Sequence, residues 1–518
     1  MATQKPNPYL SAPLYGLTHF DPGQSDTIPY PVKRGTFRVD LDQMAHAPGG
    51  PVNIMNLAST DPRYMWAIST ARAAYVEVAG GQWKVVAELA LPGVTAYDAA
   101  TLQAVFREPF TTLEQVEAIT AQYLGEHPEQ IMTSGLYTVA DVDNIIYVNA
   151  GTDVCAIGLK DASNPAAGIE VKRTFHAAQY FTPFELPGYG AAVRLVGMSL
   201  TYDGHLIIGA FNGLAVVDRA FTKTPVVYNI EPGQWITNSF SVDEDNGIYV
   251  ASGDLRPRGD GVLRRLVWTG ATVSDAEADG AWSSPYDGGD WPPAVKGGTG
   301  TGATPTLMGF GPDEDHMVVL TDGVNRMKLV AFWRDEIPAD FVQLPDARSR
   351  RIAGQFQITA GLPLDTAWVQ SEQSVVVNGW GAFVVNNMVP KGHKDKLIDV
   401  LINGPIVPPP HGMERVEWDA QARAWRAVWA RGDVASTSMV PMASAPSSLV
   451  CVNGYSMEDG WQIVGMDWDT GEVVHRTIFG RNNYGNGAYA LIQFLENGDL
   501  LFNSVGGPFR VPLVEAGN

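Results

Sequence analysis

Seven segments of the 518-residue chain end in an amide or carboxylate at the same point of a recurring pattern: Asn149, Asn212, Asp254, Asp322, Asn387, Asn453 and Asn503. Side-chain oxygens of this kind suit a hard divalent cation such as calcium, which takes carboxylate, amide and carbonyl ligands. The connecting segments add His176 and Tyr180, Trp235 and Asn238, Arg256, Arg258 and Asp260, Asp287, Asp290 and Trp291, Asn325 and Arg326, and Arg481 to Asn486, which includes Tyr484. Carboxylates, amides, guanidiniums and aromatic rings gathered on one side match a polar or partly aromatic small molecule. The expected chemistry follows from the residue types. Asn212, Asn238 and Asp322 hold a cation that polarises a substrate oxygen, and His176, Asp254 or Asp322 moves the proton. Tyr180, Trp235, Arg256, Arg326, Arg481, Tyr484 and Asn486 bind the substrate. The recurring Asn and Asp also have a purely local reading, because both favour turns by bonding their own backbone.

Nine histidines are present. His176 is the preferred acid/base group, since it stands beside aromatics in a connecting segment and imidazole titrates near neutral pH. His19, in the run Thr18-His19-Phe20-Asp21, and His393 reach the same side and read as surface or structural residues. His205 and His316 fall in hairpin turns on the opposite side, and His475 falls in an outer strand. No closely spaced histidine pair, Gly-x-Ser-x-Gly elbow or His-Glu-x-x-His helix occurs. A hydrolase built on this chain therefore activates water through a metal or a carboxylate.

These residues need elements to position them, and the elements repeat. Residues 197–212 and 239–254 each read as an apolar strand, a turn rich in Asp, Asn and Gly, and a second strand rich in Ile, Val and Tyr. Related copies occupy 136–149, 307–322, 374–387, 442–453 and 490–503, and 53–91 reads as one more unit. Each copy is a β-hairpin. Further strands follow several copies, at 214–218 with 226–229, at 327–333, and at 462–467 with 473–478. Four strands per unit, at a spacing of roughly 40–70 residues, is the pattern of a β-propeller. The expected fold is all-β, with seven or eight four-stranded blades in one domain spanning residues 1–518. A strand at 36–40 is expected to complete the last blade and remove its open edge. Residues 111–124 break the pattern with apolar residues at helical spacing, Thr111 and Glu114 forming a capping box. Long Gly- and Pro-rich loops lie at 283–305 and 406–411.

Composition bounds the role. A formal net charge of -21 repels phosphate backbones and anionic membranes, so neither nucleic acid nor a membrane is an expected partner. Gly297 to Gly302 lacks the Lys-Ser/Thr ending of a phosphate loop, which argues against a nucleotide cofactor. The N-terminus shows no export signal and no long apolar run occurs, so the expected location is cytoplasmic. Cys155 and Cys451, the two cysteines, sit in apolar strand contexts and read as buried thiols.

Residues 237–250, Thr-Asn-Ser-Phe-Ser-Val-Asp-Glu-Asp-Asn-Gly-Ile-Tyr-Val, resemble the inner strands of gluconolactonase-like, paraoxonase-like and strictosidine-synthase-like propellers. In their calcium-dependent members an Asn just before the inner strand helps hold the metal, and Asn238 matches that position. Val196 stands where the resemblance calls for an Asp ligand. Residues 465–474, with Asp467-Trp-Asp-Thr-Gly-Glu, resemble the blade motif of quinoprotein dehydrogenases. That motif occurs once, with His475 in place of the closing Trp, so no quinone cofactor is expected. Carotenoid-cleaving propellers hold iron through four histidines, a grouping the spacing here does not offer. The resulting expectation is metal-assisted hydrolysis of an ester or lactone, or a related lyase or isomerase step, on a small molecule. The alternative is a non-catalytic scaffold that binds a small ligand or a protein partner.

Overall fold

Apolar runs such as Gly381–Val385 and Met317–Thr321 are buried along their whole length. A strand covered on both faces reads in this way. Their neighbours supply the cover: a computed structural model, describing residues 1–47, 49–95, 97–126, 132–186, 190–290 and 298–514, stacks sheet against sheet. Among the described residues eight sheets of four or more strands follow one another along the chain. The first runs from Asn56–Ala58 to Lys84–Ala90, the second from Thr138–Ala140 to Ile169–His176, and the third from Leu195–Leu200 to Val226–Asn229. The fourth is built on Gly247–Asp254 and Gly261–Trp268, with both edges split into two short strands. The fifth starts at Thr306–Met308, the sixth at Val376–Asn378, the seventh at Met442–Ser444 and the eighth at Ile492–Phe494. The seven hairpin copies supply the first two strands of the second to eighth sheets, and residues 53–91 form the first. Trp291 and Gly297 lie outside the described residues.

The hairpin turns show why the pattern repeats. Asp141 Oδ1 accepts the amides of Asp143 and Ile145, while Oδ2 accepts the Tyr147 hydroxyl at 2.9 Å. Asp243 does the same with Asp245, Gly247 and Tyr249. Asn144 (φ 57°) and Asn246 (φ 63°) take the left-handed position, which asparagine tolerates better than other side chains. An Asp followed six residues on by Tyr is thus a hairpin device.

The N-terminal segment joins the two ends of the chain. Ala45–His46 pairs antiparallel with residues 509–510 of the eighth sheet. Gly35–Arg38, at the place of the expected closing strand, runs parallel to residues 475–478 on the outer edge of the seventh sheet. Thr27–Ile28 pairs parallel with Ala443 and Ser444 on that sheet's inner edge. Next to the first strand of the same eighth sheet, Leu491 N donates to Ile54 O at 2.9 Å and connects that sheet to the first.

Among the described residues three α-helices interrupt the strands: α1 (Ala99–Phe106), α2 (Leu113–Leu124) and α3 (Lys396–Ile402). The expected cap of α2 is displaced by one residue. Thr112 is the cap, accepting Gln115 N, and the Gln115 side chain accepts Thr111 N. Thr112 has the free extended backbone that a cap needs. Six of the seven residues of α3 are buried, so its run Leu-Ile-Asp-Val-Leu-Ile carries no amphipathic signal. Cys155 and Cys451 are buried and unbridged. Among the described residues no helix is long and apolar enough to cross a membrane.

Candidate active site in the central channel

A ring of sheets leaves the inner edge of each first strand facing the channel, with backbone groups that need partners. Residues 1–28 supply them. Ala58, Ala140, Val242, Leu307, Val377 and Ala443 donate their amides to the carbonyls of Tyr15, Gly16, Pro22, Gly23, Ser25 and Asp26 respectively, at 2.7–3.0 Å. Tyr15 Oη donates to Phe494 O and accepts Phe494 N on the eighth sheet. Asn7 Nδ2 reaches Leu200 O on the third. The N-terminal segment is therefore a plug bonded to all eight sheets. Its tight course requires left-handed backbone at five non-glycine residues, Tyr15, His19, Phe20, Gln24 and Asp26, with φ between 53° and 78°. Such angles cost free energy unless the surroundings enforce them.

This course brings His19 onto Asp26. His19 Nδ1 lies 2.9 and 3.0 Å from the two Asp26 carboxylate oxygens, and both residues are buried. The carboxylate orients the ring through Nδ1, and Nε2 lies on the side of Thr304. Burial pushes the Asp26 carboxyl up, and His19 opposes the shift. Asp21, also in the plug, is pushed up to about 6 by burial, with the Ser25 hydroxyl and amide pulling it back.

Above the plug His19 lines a cavity of about 120 Å³ together with Thr18, Tyr137, Asn238, Glu372 and Lys396. Asn238 organises one wall: its Oδ1 accepts Ser239 N at 2.8 Å and the Tyr137 and Thr304 hydroxyls at 3.3 Å, and its Nδ2 donates to Gly302 O. Thr304 Oγ1 lies 3.5 Å from His19 Nε2. Lys396, in the first turn of α3, lies 4.9 Å from the centre of the Tyr489 ring. Tyr489 has φ 66° after Ala488 at 39°, and burial pushes its phenol well above the usual range. Helix α3 is fixed by Asn486 Nδ2 on Val400 O, and the loop before it by His393 Nε2 at 3.3 Å from Glu117 on α2. A wider cleft of about 480 Å³ lies between the sixth and seventh sheets, but its arginines are already committed, Arg431 to Asp433 and Arg476 to Asp459 and Gln462.

Of the residues singled out from the sequence, Asn238 lines the cavity. Asn212, which follows the second strand of the third sheet, donates to Thr182, and Asp322 accepts Lys328 N on the fifth, with the Lys328 ammonium 3.6 Å away. With three donors already on Asn238 Oδ1, these three side chains have separate partners. Among the described residues no three His, Cys, Asp or Glu side chains group as metal ligands do. His176 is exposed and holds Asp153 at 3.1 Å at the outer end of the second sheet. Asp254 is forked by Arg256. Tyr180 stacks on Phe175, and buried Trp235 stacks on Phe184. Arg326 and Arg481 donate to the carbonyls of Leu364 and Met457. Tyr484 packs edge-on against Phe509 and His46, and Asn486 holds α3. Asp26, Tyr137, Glu372 and Lys396 went unnoticed in the sequence, where no spacing links them.

No protein-family model matches the chain. An uncharacterized protein of Archaeoglobus fulgidus is 32% identical over 339 residues, 63% of this chain and 63% of that protein's length. Among solved structures, the quinohaemoprotein alcohol dehydrogenase of Comamonas testosteroni superposes with a TM-score of 0.53 at 10% identity, covering 100% of this chain and 83% of that one. Quinohaemoprotein alcohol dehydrogenase ADHIIG of Pseudomonas putida HK5 gives 0.51 at 11% identity, over 98% and 82%. At such identities the likeness shows the fold, a β-propeller. These neighbours are dehydrogenases of the quinoprotein kind, not members of the gluconolactonase or paraoxonase group. The expectation that excluded a quinone cofactor is corrected by them. The fold is one that quinone-dependent dehydrogenases use, and one degraded turn at 465–474 was no ground for excluding that cofactor.

Proposed function

We propose that this propeller is an enzyme that acts on a small polar molecule in the central cavity, with His19 Nε2 as the group that takes the proton. The observation that carries the reading is the buried His19–Asp26 pair, whose imidazole lines the cavity above the plug. A carboxylate behind an imidazole orients the ring and stabilises the cation formed when it accepts a proton, an arrangement shared by many general bases. Asn238 and Tyr137 form a fixed polar wall beside it. The chemistry is a lyase or isomerase step, or hydrolysis of a small ester or lactone, in which His19 abstracts a proton from carbon or from water. The test follows small lactones and hydroxy, keto and amino acids by NMR in deuterated buffer, reading ring opening and deuterium uptake. His19→Gln should lower the rate by about 10²–10⁴, and Asp26→Asn should lower it with substrate binding kept. An unchanged rate in His19→Gln removes the proposal.

A second reading, quinone-dependent alcohol oxidation, is favoured by the fold shared with the quinohaemoprotein alcohol dehydrogenases. A cavity of about 120 Å³ has to widen before it admits a fused-ring quinone, since ligand pockets usually span ~300–1,000 Å³. Titrating the protein with a quinone and alcohol, and following dye reduction, separates the two readings.

A further inference from the structure

The cleft between the sixth and seventh sheets holds about 480 Å³, and pockets for small molecules span ~300–1,000 Å³. One wall is the segment 404–409, whose Pro405, Pro408 and Pro409 line the cleft and, as prolines, offer no N–H donor. Ile406, Val434 and Val464 continue the apolar surface. Met457 and Val473 carry it to the rim, where they are 74% and 39% exposed.

The charges on this lining are paired in place. Arg431 donates to both oxygens of Asp433 and to Gly471 O. Arg476 donates to Asp459 and to Gln462 Oε1. The charge of His411, which is exposed, falls on Asp433. An ion entering the cleft gives up its water and meets charges that already have counterions, so neither sign is favoured.

Two donors remain. Tyr455 and Gln462 both line the cleft, and each is 7% exposed. They stand on the paired strands Leu449–Ser456 and Gly460–Asp467, one register step apart, with Tyr455 opposite Trp461 and Gln462 opposite Gly454. The Tyr455 ring packs edge-on against Trp461 at 5.3 Å, and among the described residues its hydroxyl has no hydrogen-bond partner. Gln462 Oε1 is taken by Arg476 Nε and Nη2 at 3.0 and 2.6 Å, which leaves Nε2 as the donor end, again without a protein acceptor among the described residues. Polar groups on side chains this deeply placed are ordinarily hydrogen-bonded. A carbonyl oxygen has two lone pairs and can accept from both. We propose that the cleft is a second binding site, independent of the central cavity, for an uncharged and mostly apolar carbonyl compound such as an aryl ketone. Its oxygen accepts from Tyr455 Oη and Gln462 Nε2, and its apolar body lies against the proline wall, Val434 and Val464.

The test is ligand-observed NMR titration of the full chain with three molecules of nearly equal size: 2-acetonaphthone, 2-naphthoate and 2-naphthylmethylamine. The neutral ketone should bind roughly tenfold or more tightly than the anion or the cation. Tyr455→Phe keeps the ring on Trp461 and removes one donor, so the ketone should bind about three- to tenfold more weakly. Val473→Trp fills the mouth from the exposed rim and should weaken the ketone at least as much. Thermal melting shows whether each variant is folded, and Met457→Trp, at a more exposed point of the rim, takes the place of Val473→Trp if that variant does not melt cooperatively. The proposal is overturned if the ketone gives no binding, if either ion matches it, or if a folded variant at the phenol or at the rim binds it as the unaltered protein does.

Discussion

Asp21 shows what the plug does to a single carboxyl. It accepts the Ser25 amide at 3.3 Å and the Ser25 hydroxyl, but burial, reinforced by Asp26, still lifts it from 3.8 to about 6. The native state thus binds this proton more tightly than the unfolded chain does, so this contribution to stability is full below about pH 4 and declines as pH rises to about 6. The whole swing is at most about 3 kcal/mol, at ~1.4 kcal/mol for each pH unit between the two values. Asp21→Asn removes the proton binding and keeps the shape. In urea unfolding its stability relative to the unaltered protein should rise from pH 4 to about pH 6 and then level. A difference independent of pH would mean that another group titrates there. Little of this residue-level picture was legible in the sequence. His19 was visible as a histidine on the ligand side, but its partner Asp26 is reached only through left-handed angles at ordinary side chains. Such angles leave no mark of the kind that a glycine leaves.

At the level of elements the recurring Asn is a clip. Asn149 Oδ1 accepts the amides of Leu136 and Tyr137, and Asn387 Oδ1 accepts Glu372 N, each holding the segment that enters its own sheet. Asn453 donates to Gln462 O and Gly485 O and accepts Gly487 N, and Asn503 donates to Leu491 O. Both the turn reading and the ligand reading of these residues missed this. A clip joins the end of a second strand to a segment that arrives from elsewhere in the chain, whereas a sequence window shows only the turn that follows. The hairpins themselves were legible, because each carries its Asp, Asn and β-branched signals within about 15 residues. Helices α1 and α3 were not, since short or wholly buried helices lack the periodicity that marks α2. Asn453 is fully buried and Asn212 is partly exposed. Asn453→Ala should therefore cost about 3 kcal/mol or more, the price of two carbonyls and an amide left without partners, and Asn212→Ala less than about 1 kcal/mol. Urea unfolding of the two variants checks the contrast, and equal losses would count against the clip.

For the molecule as a whole, closure is achieved twice. One closure is peripheral, where Ala45–His46 completes the eighth sheet and Gly35–Arg38 covers the edge of the seventh. The other is axial, where residues 1–28 bond to the inner edge of every sheet. The axial one also carries His19, so the segment that holds the ring together forms the floor of the cavity. This coupling follows from geometry, because the axis is the place where one short segment can reach every sheet. It was not legible, since most of the bonds join residues more than a hundred positions apart without any repeat. Removing residues 1–26 leaves the amides of Ala58, Ala140, Val242, Leu307, Val377 and Ala443 without their acceptors. At about 1–3 kcal/mol for each group that water cannot reach, the loss is of the same order as the ~5–15 kcal/mol that holds a typical domain folded. The truncated chain should lack the cooperative thermal transition of the full one and bind a hydrophobic dye at room temperature. If it instead melts as a single unit within a few degrees of the full chain, water has replaced the plug along the axis. The N-terminal segment would then be a carrier of His19 and not a structural closure, and the truncated protein would become the form in which to measure what the cavity does without its base.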